Sequence, residues 1–308
     1  MKTIQILMST YNGEKYLKEQ LESILTQDCE QFGKAALTLK VRDDGSQDGT
    51  QQILQQYAEK YPEIISWYQG ENVGVIGSFF DLMKQADVCD YYAFADQDDY
   101  WMPEKLTRGI EKLEELPEDK PLLYCCRPKL VDSQLHTIES AINRPPMRPA
   151  FENAMIENIA TGCTEIFNRN LYELVIKQLP EFTVMHDWWL YLTATCFGEM
   201  VYDETSYICY RQHGGNVLGT KTSHMDELKM RLKRYKKNRG NISRQLGELV
   251  RIFGQEFPEN EKLLLAKEMI QVKSSFWGRV RFFKKAGIYR QRKMDDRIFR
   301  WILRMGSY

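Results

Sequence analysis

The stretch from Tyr91 to Trp101, reading Tyr-Tyr-Ala-Phe-Ala-Asp-Gln-Asp-Asp-Tyr-Trp, restricts the fold of this chain more than any other. Tyr91 to Phe94 form an unbroken apolar and aromatic run, the pattern of a buried strand, and three carboxylates, Asp96, Asp98 and Asp99, follow where that strand should end. Carboxylates set close together repel one another unless a cation offsets them, and an all-oxygen set favours a hard divalent ion such as Mg²⁺ or Mn²⁺. An Asp-x-Asp at the carboxyl end of a strand points to a metal–diphosphate site in the crevice where α/β sheets bind ligands. The competing reading is an acidic turn capping a helix that begins near Pro103, and the tripeptide alone favours it, because Asp is common in turns and at N-caps.

The preceding chain repeats one pattern. Residues 3 to 9 read as a strand, Ser9-Thr10-Tyr11-Asn12-Gly13 as the turn leaving it, and Glu14 to Gln27 as a helix with Leu17, Leu21, Ile24 and Leu25 on one face. A second strand, Leu37 to Val41, runs into the acidic turn from Arg42 to Thr50, where Asp48 suits a helix cap. A third, Ile64 to Gln69, leads through Asn72 and Gly74 to a helix ending near Asp87. Strands alternating with helices mark a mostly parallel sheet, so these polar loops should gather along one edge of it.

In this order and spacing, Ser9 to Gly13, Asp43-Asp44-Gly45-Ser46 with Asp48-Gly49-Thr50, Asn72-x-Gly74 and Asp96-Gln97-Asp98-Asp99 resemble the family 2 inverting glycosyltransferases of the GT-A fold. The resemblance implies an α/β domain that binds a nucleotide sugar. Thr10 and Tyr11 would flank the base, Asp43 and Asp44 would contact base or ribose, and Asn72 would belong to the nucleotide site. Asp96 would sit at the ribose or in the metal shell, and Asp98 would be the principal ligand of Mg²⁺ or Mn²⁺, with Asp99 auxiliary.

Further along, Pro121 to Val131 is strand-like, and three prolines between Asn143 and Pro149 mark a loop or cover segment. The Thr161-Gly162-Cys163 turn falls where the family keeps donor sugar and acceptor, so Gly162 is a sugar-site candidate; a packed turn is the other reading. Asp187, at the start of an aromatic helix from Trp188 to Phe197, is either a charge favoured by the helix dipole or a base. The resemblance makes it the base that deprotonates the acceptor hydroxyl, with Trp188 available to stack on a sugar. Arg211 and His213 sit in a polar loop that strands ending at Asp203 and Tyr210 deliver; His213 suits a third metal ligand and Arg211 a phosphate or sugar contact, against a solvated loop. The run Tyr210-Arg211-Gln212-His213 with Asn216-Val217, taken with Asp96-Gln97-Asp98-Asp99 and Trp101, is most similar to bacterial rhamnosyltransferases of cell-wall and O-antigen polysaccharide.

Length and charge divide the chain. Its 308 residues suggest a catalytic domain over 1–220 and a basic helical extension over 221–308. The extension holds 23 Lys+Arg against 9 Asp+Glu, leaving 19 against 34 for residues 1–220. Basic amphipathic helices bearing Phe276, Trp277 and Trp301 suit the inner membrane surface, with packing on the core or a homodimer as the alternative; no recognised nucleic-acid motif accompanies the charge. Seven cysteines without Cys-x-x-Cys spacing, and the lack of a leader-like or membrane-spanning run, predict a cytoplasmic protein, peripheral on the membrane. The resemblance implies transfer of L-rhamnose from dTDP-L-rhamnose to a lipid-linked saccharide. The alternatives are a UDP-hexose transferase of the same fold and a non-catalytic nucleotide-binding scaffold on the membrane.

Overall fold

The computed structural model describes residues 2–29, 35–138, 146–212, 240–304, 306 and 308. In chain order the elements are β1 (Lys2–Thr10), α1 (Leu17–Leu25), β2 (Ala35–Asp43), α2 (Thr50–Lys60), β3 (Ile65–Gln69), α3 (Gly74–Gln85), β4 (Tyr91–Ala95), β5 (Tyr100–Trp101) and α4 (Lys105–Glu114). They continue with β6 (Leu122–Cys126), β7 (Lys129–Val131), α5 (Phe151–Ala154), β8 (Ile166–Asn168), α6 (Arg169–Lys177), α7 (His186–Phe197), β9 (Glu199–Asp203) and β10 (Ile208–Arg211). Four helices follow: α8 (Asn241–Phe253), α9 (Glu261–Gln271), α10 (Phe276–Lys285) and α11 (Lys293–Arg304). The chain forms two compact units, the first made of Met1–Pro146, Ala160–Leu179 and Phe197–Gln212, the second of Met147–Ile159, Pro180–Cys196 and His213–Tyr308.

The first unit is an α/β structure on a seven-stranded sheet of order β3-β2-β1-β4-β8-β6-β9. Its central strands are buried on both faces, which is why they read as continuous apolar runs: Ile4, Ile6, Leu7 and Met8 of β1 and all five residues of β4 are buried. β1 runs parallel to β2 and to β4, with Thr10 opposite Asp43 and Met8 opposite Ala95, and β3 continues the same direction with Gln69 opposite Asp43. The four polar loops therefore leave one edge of the sheet, as the alternation predicts. β8 lies antiparallel between β4 and β6, a reversal that three residues are too few to signal in sequence.

The strand expected from Pro121 to Val131 is two strands in different sheets. Pro128 has no N–H to donate to a ladder, and the chain turns at Arg127-Pro128, leaving β6 in the main sheet and β7 in a three-stranded sheet of order β5-β10-β7. In that small sheet Trp101 lies opposite Ile208 and Arg211 opposite Val131, which carries the end of β10 toward the residues just after β4.

In the second unit α8 buries Leu246, Leu249 and Phe253 and α9 buries Leu263, Ala266 and Met269. The Tyr308 hydroxyl donates to the Met269 carbonyl at 2.8 Å, and its ring meets Phe283 of α10 at 5.9 Å. The helix expected from Met225 begins at Asn241 within the described residues; positions 213–239, with His213 and the densest cations, lie outside them. Among the described residues no helix is long and apolar enough to cross a membrane.

One close approach supports the pairing of β6 with β9. A Cβ built on Gly198 would stand 1.8 Å from the Pro121 carbonyl oxygen, the same oxygen that accepts the Glu199 N–H at 3.0 Å. Gly198→Ala should therefore lower stability by about 1–3 kcal/mol, read as a fall in the urea midpoint with an unchanged slope.

Candidate functional site

The loops after β1 and β2 are stitched through buried carboxylates. Asp43 is fully buried: Oδ1 accepts from Thr10 Oγ1 at 3.0 Å and Ser46 Oγ at 2.5 Å, and Oδ2 from Ser46 N at 3.0 Å and Gln51 Nε2 at 2.9 Å. Asp44 turns toward the start of α3, accepting from Val73 N and Gly74 N at 3.0 Å each, with an Arg42 guanidinium N–H on Oδ1 at 2.5 Å. Gly45, at φ +85°, makes this turn without strain. Both acids hold the loops in shape, and only Oδ2 of Asp44, with a single donor among these bonds, keeps room for a further one. Tyr11 and Asn72 stand exposed at the same edge. The N-cap of α2 is Gly49, not Asp48 as expected; Asp48 stands one residue earlier, and its Oδ1 accepts from Thr50 N at 3.0 Å.

The loop after β4 is joined to the first. The Gln97 side chain accepts from Tyr11 N at 2.8 Å and donates to Tyr11 O at 3.0 Å. Gly13 permits the approach, since a Cβ there would stand 2.2 Å from Gln97 Oε1.

Asp96 and Asp98 are partly exposed and Asp99 is fully buried. Ligand atoms of Asp96, Asp99 and Cys163 lie within 4.8 Å of one another. Asp99 Oδ1 accepts the Arg211 N–H at 3.1 Å, its Oδ2 is buried without a hydrogen-bond partner, and the Cys163 thiol lies beside the carboxyl. Burial, reinforced by the Asp96 and Asp98 charges, pushes the Asp99 carboxyl well above the ordinary range. Burial also raises the Cys163 thiol well above its usual value, so the sulfur is a donor and the oxygens remain the acceptors. A hard divalent cation fits this set: it would satisfy Asp99 Oδ2 and offset the mutual repulsion of the neighbouring carboxylates. Asp98, expected as principal ligand, is outside the three-residue group, and Asp99 with Asp96 is its nucleus.

Arg211 faces inward rather than toward solvent. It is 1% exposed, stacks over the Tyr16 ring at 4.4 Å, and donates to the Asp98 carbonyl at 2.8 Å, the Ser133 carbonyl at 2.6 Å and the Glu19 carboxylate. In this arrangement Arg211 holds the Asp98-Asp99 segment, and its guanidinium is engaged with protein acceptors. Sequence reasoning passed over Lys105 and Cys163. The Lys105 ammonium is buried, has no hydrogen-bond partner, and lies 3.4 Å from the centre of the Trp101 ring; burial lowers its pKa to about 8, while Cys126, Cys163, Cys125 and Asp99 oppose that shift. The signal is a lysine four residues beyond Trp101, which itself stands two residues after Asp99; Cys163 sits in an apolar turn that reads as core. Gly162 lies buried in that turn, packed on β4.

In the second unit Asp187 occupies the first turn of α7, 8% exposed, with Oδ1 accepting from Asn158 Nδ2 at 3.0 Å and Trp188 N at 2.6 Å. Trp188 Nε1 donates to the Ala154 carbonyl at 2.6 Å, fixing the ring beside the acid. His186 is buried and held neutral, its pKa lowered to about 3 by desolvation.

Residues 5–173 match Glycosyl transferase family 2, and the chain belongs to that family. A dTDP-rhamnosyl transferase, RfbG of Shigella flexneri, is 27% identical over 256 residues, covering 78% of this chain and 85% of that protein. Among solved structures, S. aureus TarS 1–349 in complex with UDP-GlcNAc superposes with a TM-score of 0.53 at 18% identity, covering 99% of this chain and 93% of that one. A mannosyltransferase from Pyrobaculum calidifontis, solved with GDP-Man and Mn²⁺, gives 0.55 at 15% identity, over 92% and 74%. The fold is thus the GT-A-like fold of nucleotide-sugar transferases.

Because the folded state favours protonated Asp99, its contribution to stability is complete below about pH 4 and is lost as pH rises through the elevated folded value. In EDTA, Asp99→Asn should melt like the parent near pH 4 and progressively higher than the parent above it. Thermal melts across pH measure the difference, and a constant offset would contradict the assignment.

Proposed function

We propose that this family 2 enzyme transfers L-rhamnose from dTDP-L-rhamnose, with inversion, to a hydroxyl of a lipid-linked saccharide in bacterial cell-surface polysaccharide synthesis. The observation that carries the reading is the acid cluster of Asp96 and Asp99, with Asp99 Oδ2 buried without a hydrogen-bond partner, at the end of β4 beside the stitched loops of β1 and β2. The rhamnosyl relative, matched over most of its length, supports the choice of donor. The catalytic domain is taken as 1–220 and the helical extension as 221–308.

In this mechanism Thr10, Tyr11, Asp43, Asp44, Asn72 and Asp96 form the nucleotide side. Asp43 acts through the loop it holds, and Asp44 offers Oδ2 to a base or ribose N–H or O–H. Asp96, Asp98 and Asp99 would hold Mg²⁺ or Mn²⁺, with His213 as a further ligand; when bound, the ion supplies Lewis-acid stabilisation of the departing diphosphate. Arg211 fixes the acid turn from behind. Asp187, its carboxylate plane set by Asn158 and the Trp188 amide, accepts the proton of the acceptor hydroxyl as that oxygen attacks the anomeric carbon from the face opposite the diphosphate. Trp188 and Gly162 are assigned to the sugar site.

A second reading, a UDP-hexose transferase of the same fold, is favoured by the likeness to a structure solved with UDP-GlcNAc. Transfer assays with dTDP-L-rhamnose, UDP-glucose and UDP-galactose on a synthetic lipid-linked acceptor separate the two. The expected outcome is turnover with dTDP-L-rhamnose alone, abolished by EDTA and restored by Mn²⁺ or Mg²⁺. Asp187→Asn should lower kcat by about 10²–10⁴-fold with donor affinity within roughly threefold of the parent. Undiminished turnover in that variant would remove Asp187 from the reaction, and a cellular phenotype unaffected by it would favour the non-catalytic scaffold.

A further inference from the structure

The last two helices carry an apolar face that the fold leaves in water. α11 buries Phe299, Ile302 and Leu303. It also displays Met294, Ile298 and Trp301, at spacings of four and three residues, which puts them on one stripe of the helix. Met294 is 68% exposed and Trp301 65%. On α10 Trp277 is 77% exposed, and the Phe276 ring packs edge-on against it at 5.4 Å. Arg279 of α10 donates to the Arg304 carbonyl at the end of α11 at 2.9 Å, so the first turn of α10 lies against the last turn of α11 and brings the two tryptophans to the same end of the pair.

The charges around this face have one sign. From Phe276 to Arg304 the chain has ten Lys or Arg against two Asp. Arg281, Lys284 and Lys285 of α10 and Lys293, Arg297 and Arg304 of α11 are exposed, while Asp295 and Asp296 are half-buried and Asp296 binds Arg300 at 2.6 Å. Tryptophan on an apolar stripe edged by cations suits the boundary between lipid headgroups and acyl chains, where the ring enters and the cations meet anionic phosphates. A second copy of the chain fits less well, because a two-fold contact through this face would set like charges against one another.

We propose that α10 and α11 dock this chain on an anionic bilayer surface, with Trp277 and Trp301 inserted at headgroup depth and Arg281, Lys284, Lys293 and Arg297 on the lipid phosphates. The docking is a property of the helix pair and is independent of which sugar the enzyme transfers.

The test uses the full chain with vesicles of phosphatidylcholine, with and without phosphatidylglycerol. Co-sedimentation should occur with phosphatidylglycerol at low salt and fall steeply in high salt. The Trp277→Ala/Trp301→Ala double variant should bind about tenfold more weakly or worse, the Phe pair should restore most of the affinity, and Lys284→Glu/Arg297→Glu should bind as poorly as the Ala pair. Quenching of tryptophan fluorescence by brominated lipid should drop sharply in the Ala variant. All these side chains are exposed, so circular dichroism and donor binding should be unchanged. Absence of binding at low salt would overturn the proposal. So would undiminished binding of the Ala variant, which moves the contact elsewhere in the chain, or a parent dimer that the same variant converts to monomer. Duplex DNA that displaces vesicles and binds in a Trp277- and Trp301-dependent way would assign the face to nucleic acid instead.

Discussion

A carboxylate taken out of water must be met by donors or by a cation, and the edge where β1, β2 and β4 end buries three of them. Asp43 receives four donors and Asp44 three, so their charges are spread over hydroxyls, amides and a guanidinium. Asp99 receives one backbone amide and a thiol. Leaving a buried acid short of partners costs about 1–3 kcal/mol or more. This imbalance makes the end of β4 the place where an added positive charge does most, and it separates the acids that build the site from those that serve it.

Two buried arginines maintain the arrangement. Arg42 holds Asp44 with one arm and Asp81, at 2.9 Å, with another, and Gly70 is needed there because a Cβ would collide with the guanidinium at 2.3 Å. Arg211 holds the backbone at Asp98 and Asp99 and anchors it to Ser133 and Glu19. The planar fork of arginine serves several acceptors at once, which a lysine cannot do. Lys105 plays the opposite part: a bare ammonium on the Trp101 face contributes charge near the acids without fixing their geometry.

Much of the architecture was legible because buried parallel strands announce themselves. The run at Tyr91 to Ala95, the strand-turn-helix repeats and the acidic loops place four loop ends on one edge, and the register confirms it. Short elements were not legible: β5, β7 and β8 have two or three residues each, too few for periodicity, yet β5 and β7 flank the β10 strand that carries Arg211, and β8 reverses direction within the main sheet. Side-chain direction was also hidden. Arg211 in a polar loop read as a phosphate or sugar contact, and Cys163 in an apolar turn read as core, because neither residue's partners are near it in sequence. Asp43 and Asp44 were recognised as special, yet their hydrogen-bond partners, between two and thirty-three positions away, show them as girders as much as contacts.

The amide of Gln97 grips the peptide at Tyr11 from both sides, as donor and as acceptor. The turn bearing Asp96 and Asp98 is thereby tied to the backbone at Tyr11, so a shift of either loop is carried to the other through two hydrogen bonds while the Tyr11 ring keeps its own freedom in solvent.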